Sequence, residues 1–227
     1  MPCSFDTKPR WERRKDARPQ ELLDAAIDLF VERGYAATRL EDVARRAGVS
    51  KGTLYLYYEN KEELFKAVVR GSIVPVIGDA EASVAGFDGH SADLLRQLIH
   101  AWWNRLGATK VSGIIKLVMA EADNFPELAC FYQEEVINRG TRTMSAMLER
   151  GIARGDFRPI DVTMTTQVLV APMLALITWK HSVGPCPRAE LDPMAFLDTF
   201  LDMALHGLLP PVATAAATAA AAPPGAA

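Results

Sequence analysis

Apolar residues recur three and four positions apart along most of this chain, the spacing of one face of an α-helix. Leu22, Ala26, Leu29 and Phe30 form such a stripe and predict a helix over about 19–33, ended by Gly34. Leu40, Val43, Ala44 and Ala47 form the next, with Thr38 placed to cap its start and Gly48 to stop it. Ala44 is small enough to let another helix cross closely, and Val49 can plug the turn. Ser50 then caps a short helix over about 51–56, whose one obvious core anchor is Leu54. Asn60, with Glu63 three residues on, makes a capping-box-like start to a fourth helix, tied to the others by Leu64, Phe65 and Val68.

The later stretches are also helical in period. Residues 71–89 are weakened by Pro75, Gly78, Gly86 and Gly89, though 73–85 can hold helical pieces, and the domain junction is expected at 71–75. Ser91 is placed to cap a helix carrying Leu94, Leu95, Leu98, Ile99 and Trp102, closed by Gly107. A helix over about 110–124 is broken at Phe125-Pro126, and a long one over 127–154 ends at Gly155. Asp161 can cap a helix to about 183, where Pro172 predicts a kink. The last helix spans about 193–209, with Phe196, Leu197, Phe200, Leu201 and Leu205. The fold class is therefore all-α. Four parts are expected: a flexible basic arm (1–17), a helical domain with helix-turn-helix spacing (18–72), a larger helical domain (73–209), and a disordered Ala/Pro tail (210–227).

The residues 38–64 direct the functional reading. The short third helix exposes Lys51, Gly52, Thr53, Tyr55 and Tyr57, a face with little bulk at its start and many hydrogen-bonding groups. Such a face fits a DNA major groove, and a helix-turn-helix presents its second helix this way. Charge agrees in a small way. The 227 residues carry a net −3, yet residues 1–70 hold 14 Lys/Arg against 12 Asp/Glu, and the rest hold 11 against 16.

The stretch AGVSKGTLYLYYENKEEL resembles the signature of the TetR family of bacterial transcriptional regulators, and ELLDAAIDLFVERGYAAT resembles that family's first helix. Together they cover about residues 18–70. By this resemblance Tyr55 and Tyr57 fall on phosphate-contacting positions, Tyr58 on a core aromatic, and the fourth helix becomes the lever between two domains. The resemblance also implies a homodimer and a small-molecule inducer pocket in the second domain.

Roles within the DNA-binding set follow from side-chain chemistry. Ser50, Gly52 and Thr53 let the backbone approach, and Thr53 is the leading base contact through its hydroxyl or its methyl group. Lys51 can reach guanine or a phosphate. Thr38 and Arg39 stand at the start of the second helix, and Lys61 adds charge at a helix N-terminus suited to phosphate. Glu41 and Asp42 depart from the polar or basic residues common there in the family. They can accept from cytosine N4 or repel phosphate. Arg45 and Arg46 fit a solvated face. The arm, with Lys8, Arg10, Arg13, Arg14 and Lys15, is either a solvated tail or a segment that lies along DNA phosphate or in a minor groove.

In the second domain, Trp102, Met119, Met144, Met147, Met173 and Trp179 are candidate ligand-lining residues, because thioethers and flat rings build adaptable pockets. Most such residues in any chain simply pack a core. The ligand expected is hydrophobic or aromatic. Leu176, Phe196, Phe200 and Met203 are candidate dimer-interface residues, since the last two helices are apolar on more of their circumference than one core needs.

Other chemistry is weakly represented. Cys3, Cys130 and Cys186 have no metal or disulfide spacing, His90, His100, His181 and His206 lie far apart, and no nucleophile-elbow or phosphate-loop pattern occurs. No metal, cofactor or catalytic residue is expected. The most apolar stretch, 168–178, is too short to span a bilayer, and no leader-like run opens the chain, so a cytoplasmic protein is expected. The reading is a sequence-specific, dimeric transcriptional regulator, a repressor released by a small apolar ligand. Its rivals are a helical small-molecule-binding or enzymatic protein whose helix-turn-helix only packs, and a DNA-binding regulator without an inducer.

Overall fold

The computed structural model describes residues 18–183 and 191–211. The basic arm, Cys3, Cys186 and residues 212–227 of the expected tail lie outside them. The described residues form α-helices with two short π-helical segments and no strand. In chain order these are α1 (Arg18–Ala37), α2 (Leu40–Arg46), α3 (Lys51–Tyr55), α4 (Lys61–Ser72), α5 (Val74–Gly86), α6 (Ser91–Trp102), α7 (Ser112–Glu121), α8 (Pro126–Tyr132), α9 (Asn138–Ala153), α10 (Val162–Ser182) and α11 (Pro193–Leu208). The π segments are Trp103–Gly107, after α6, and Gln133–Ile137, between α8 and α9.

The helices gather into two compact units. The first combines residues up to Pro75 with Ala108–Glu135, so α7 and α8 pack with α1–α4. The chain passes to the second unit after Pro75, comes back for 108–135, and then leaves again. In the first unit the α1 stripe (Leu22, Ala26, Leu29, Phe30) packs with α4, which contributes Leu64, Phe65 and Val68, and α3 packs with α2 and contributes Leu54, all fully or almost fully buried. Burying side chains of this size contributes roughly 1.5–3 kcal/mol each. Phe30, Tyr35 and Phe65 lie with ring centroids 5.7 Å apart, and Phe125 meets Tyr35 edge-on at 4.7 Å.

The second unit has its own core. Leu94, Leu95 and Ile99 of α6, Met147 and Leu148 of α9, Leu169 and Leu176 of α10, and Leu197, Leu201 and Leu205 of α11 are buried together. One polar node ties the start of α6 to the end of α9. The Ser91 backbone N–H and hydroxyl both donate to Asp156, at 2.9 and 2.7 Å, and Arg150 donates to Ser91 Oγ and to the carbonyls of Phe87 and Gly89. The Ser91 hydrogen bonds hold the Asp156 carboxyl below its ordinary range.

Several local expectations change. α2 is not capped by Thr38: Arg39 stands at its N-cap without a side-chain bond, and Thr38 faces inward. α6 is capped by His90, whose Nδ1 accepts from the Ala92 N–H, because Ser91 is already engaged by Asp156. The helix expected over 110–124 is the shorter α7, and the one over 127–154 is α8, a π segment and α9 in succession. The helical pieces expected over 73–85 are one continuous helix, α5 (Val74–Gly86). α10 is 21 residues long with a mean hydropathy of 1.5 in its most apolar window, so by length and composition alone it could cross a bilayer. One side of it, Leu169, Met173, Leu176 and Ile177, is buried in the protein.

Candidate nucleic-acid interface

The helix-turn-helix is built by a left-handed glycine and two caps. Gly48 has φ 67°, a conformation that a side chain would strain, and it stops α2. The Val49 N–H donates to Ala44 O at 2.9 Å, closing the turn. Ser50 Oγ accepts from the Thr53 N–H at 3.0 Å and fixes the start of α3. Leu54 is the one fully buried residue of α3 and fastens the helix to the unit. Asn60 Oδ1 accepts from the Glu63 N–H at 2.9 Å and caps α4.

The remaining side chains of α3 face outward. Lys51, Gly52, Tyr55 and Tyr57 are exposed, and Thr53 is half-buried with its hydroxyl 2.8 Å from that of Ser50. Lys51 Nζ lies 2.6 Å from Glu41 Oε1. Their hydrogen bond holds the Glu41 carboxyl below its usual range and the Lys51 ammonium above its own. Glu41 is therefore the partner of the first residue of α3. Arg46 makes a two-pronged bond to Glu32, at 3.0 and 2.9 Å, and Arg33 pairs with Asp42, so these charges brace α2 against α1; Asp42 also pairs with Arg45 within α2. Arg39 is exposed at the start of α2.

Two residues expected at DNA point inward instead. Thr38 is 2 % exposed, and its hydroxyl donates to Gly34 O at 2.7 Å and Leu29 O at 3.2 Å. Lys61 Nζ donates to Tyr35 O at 2.7 Å and Ala36 O at 3.2 Å, and sits 4.4 Å above the Tyr35 ring. Burial lowers the pKa of that ammonium. Burial also raises the Tyr35 hydroxyl to about 12. Both side chains brace the turn between α1 and α2.

Leu56, immediately after α3, is 83 % exposed and was not singled out from the pattern. Its signal in the sequence is an apolar residue that no stripe claims. Together with Tyr55 and Tyr57 it gives this end of α3 an apolar as well as a hydrogen-bonding surface.

The candidate ligand residues divide between the units. Met144, Met147 and Met173 are buried in the second unit's core, with Trp102 and Trp179 packed half-buried against it. Trp103 is buried beside Trp102, ring centroids 6.2 Å apart, and Lys180 Nζ donates to the Gly107 carbonyl at 2.7 Å next to it. Met119 is elsewhere, 56 % exposed on α7 in the first unit, because the α7 face that packs is the one carrying Ile114, Ile115, Leu117 and Val118. Among the candidate dimer residues, Leu176 is sealed in its own unit's core, Phe196 and Phe200 are half-buried, and Met203 is 70 % exposed.

Comparison with known proteins agrees with this geometry. Residues 22–68 match the description "Bacterial regulatory proteins, tetR family", and residues 89–185 match "Tetracyclin repressor-like, C-terminal domain". The chain is 40 % identical over 198 residues to the fatty acid metabolism regulator protein of Bacillus subtilis, covering 86 % of this chain and 98 % of that one. It is 28 % identical over 200 residues to the HTH-type transcriptional repressor KstR2 of Rhodococcus jostii, covering 87 % and 94 %. The structure of the transcriptional regulator FadR from Bacillus subtilis in complex with stearoyl-CoA superposes with a TM-score of 0.71 at 21 % identity, over 83 % of this chain and 98 % of that one. A capped reading helix on a helix-turn-helix, two matching family domains and a relative aligned over nearly its whole length lead to one conclusion: the chain belongs to the tetR family of bacterial regulatory proteins, and is a DNA-binding transcriptional regulator.

Proposed function

We propose that this protein is a cytoplasmic, homodimeric repressor that an apolar effector with a long acyl chain releases from its operator. The observation that carries the DNA half of the reading is the outward face of α3, held by one buried leucine and one serine cap. Ser50, Gly52 and Thr53 meet base edges, with Thr53 exchanging its bond to Ser50 for one to a base. Arg39, Lys51, Tyr55 and Tyr57 meet phosphate and sugar, which position the helix without reading sequence. Thr38 and Lys61 act from behind, through the turn they bond.

Dimerisation is supported by what α10 and α11 leave uncovered. Met164, Val168, Ala171 and Ala175 run along the outer side of α10 at i, i+4, i+7 and i+11, and all are exposed. Only 28 % of the most apolar window of α10 is buried within one chain. A second copy covering these residues, with Phe196, Phe200 and Met203 of α11, accounts for that composition. It also presents two reading helices to half-sites spaced by about 34 Å or a multiple of it.

The effector half rests on the methionine- and tryptophan-rich core of the second unit. The most identical relative described above is named for fatty acid metabolism, and the FadR structure holds stearoyl-CoA. An acyl chain suits a core of flexible thioethers and flat rings. Release requires that the effector bind the non-operator arrangement more tightly than the operator-bound one.

The test is fluorescence anisotropy of the full chain on the duplex upstream of its own gene, with a scrambled duplex beside it, at several salt concentrations. The reading expects tight, salt-dependent binding to the upstream duplex alone, and its loss on addition of stearoyl-CoA but not of free coenzyme A. Operator binding that no acyl-CoA changes defeats the effector half. Equal weak binding to both duplexes defeats self-regulation.

A further inference from the structure

Four side chains of the first unit meet on the turn that joins α1 to α2. Gly34 interrupts α1 with φ 83°, a conformation only glycine adopts without strain. The next residue, Tyr35, donates its backbone N–H to Glu121 Oε1, the last residue of α7, at 2.9 Å. The carboxylate lies so close that a Cβ on Gly34 would sit 2.7 Å from the same oxygen. Lys61 of α4 holds the carbonyls of Tyr35 and Ala36, and Thr38 holds the carbonyl of Gly34. Phe125, four residues beyond Glu121, packs edge-on against the Tyr35 ring. The turn's N–H is thus gripped by an anion and its carbonyls by a cation and a hydroxyl. Bonds from a backbone N–H to a carboxylate are among the stronger hydrogen bonds of a protein.

The position of this turn fixes where α2 begins, and α2 carries α3 through the Gly48 turn. Glu121 itself stands on a segment with an unusual frame. Residues 108–135 belong to the first unit, but the chain enters them from the second unit through one π segment, Trp103–Gly107, and leaves through the other, Gln133–Ile137. π-helical turns are rare and concentrate at functional positions.

We propose that Glu121 is a positioning residue for DNA binding: its carboxylate latches the Gly34–Tyr35 turn, keeps α2 and α3 in the arrangement that fits the operator, and puts that arrangement under the control of the 108–135 segment. This rests on the operator-binding reading above. Without the carboxylate, the Tyr35 N–H loses its partner and the turn is free to shift, while α3 keeps its own cap and anchor.

The experiment uses the full chain in two forms of readout. One is hydrogen exchange at the Tyr35 amide. The other is anisotropy on a duplex that the wild-type protein selects from a random library. Glu121→Ala is expected to speed exchange at Tyr35 and to weaken duplex binding about tenfold, the scale of one charge-assisted hydrogen bond, with Glu121→Gln recovering most of both because its amide oxygen still accepts. Wild-type exchange in Glu121→Ala overturns the latch. Fast exchange with unchanged duplex affinity overturns the positioning role. Should Glu121→Ala fail to fold, Glu121→Asp, whose side chain is one methylene too short to hold the Tyr35 N–H at 2.9 Å, takes its place, and wild-type exchange with wild-type duplex affinity there overturns the proposal. A wild-type protein that selects no sequence defeats the repressor reading instead, and the exchange comparison still decides the latch.

Discussion

In the first unit, polar side chains converge on the turn between α1 and α2; in the second, they tie helix ends around a core of leucine, methionine and tryptophan. Glu121, Lys61 and Thr38 fix single backbone atoms, so small displacements break directional bonds. Met144, Met147 and Met173 fix volume only, and a thioether core repacks with little loss. If the α3 hydroxyls meet base edges as proposed, the first unit needs the first kind of construction. A unit that must admit a ligand tolerates the second. The difference teaches where to look for specificity and where for adaptability in one chain.

The largest expected effects come from removing one anchor in each unit. Leu54 and Met147 are equally buried, and truncating either to alanine costs about 2–5 kcal/mol of stability by loss of burial and the cavity left behind. The consequences should diverge. Leu54→Ala frees the only core contact of α3 and abolishes operator binding. Met147→Ala leaves operator affinity within about twofold at temperatures where the protein is folded, yet alters the response to stearoyl-CoA. Chemical denaturation and anisotropy on the same samples check both. Equal loss of operator binding in the two variants would erase the contrast.

The next effect bears on the outer faces of α10 and α11. Val168→Asp or Met203→Asp places a charge where a second copy is proposed to sit, and neither side chain touches its own core closely, being 65 % and 70 % exposed. Sedimentation equilibrium is expected to show the wild-type chain at twice its 24.8 kDa mass and the variants at a single chain's mass, with helical content unchanged. A wild-type monomer would leave the apolar stripe of α10 without its proposed cover.

A smaller effect is expected at the Lys51–Glu41 pair. Both side chains are solvent-exposed, so the pair contributes little to stability. Glu41→Gln releases Lys51 and removes a negative charge from the DNA side. Operator affinity should rise a few-fold, and the salt dependence should steepen as Lys51 engages phosphate more fully. A fall in affinity together with altered preference at one base pair would instead mean that Glu41 accepts from a cytosine.

What was legible in the sequence is local. Ser50, Asn60 and Asp161 cap the helices that their positions predict, each accepting from the N–H three residues on. Gly34, Gly48 and Gly155 all take a positive φ where a stripe breaks off. The helical period marked the two-helix reading element, and the capping serine beside Thr53 marked its start. What was not legible depends on contacts made far along the chain. Thr38 looked like a cap because nothing nearby reveals that the Gly34 and Leu29 carbonyls face it. Ser91 looked like a cap until Asp156, 65 residues on, took its hydroxyl. Lys61 looked free for phosphate, but the kink at Gly34 turns two carbonyls toward it. That α7 and α8 pack with the DNA-binding helices leaves no periodic signal at all, and Glu121 is one carboxylate among several near the end of an apolar helix. Exposure separates Met119 and Leu176 from their expected roles for the same reason: both belong to apolar stripes, and only the neighbours decide which face is covered.

The central claim is that α3 reads sequence through Thr53 while its surroundings hold it in place. It is tested most directly by selecting duplexes from a random library with the wild-type chain and with Thr53→Ala, and comparing the two preference matrices. The account predicts a defined wild-type matrix and, in the variant, relaxed preference at one base pair per half-site with a loss of roughly 1 kcal/mol or more. Identical matrices would contradict it, and would move base reading from Thr53 to another residue of the exposed face.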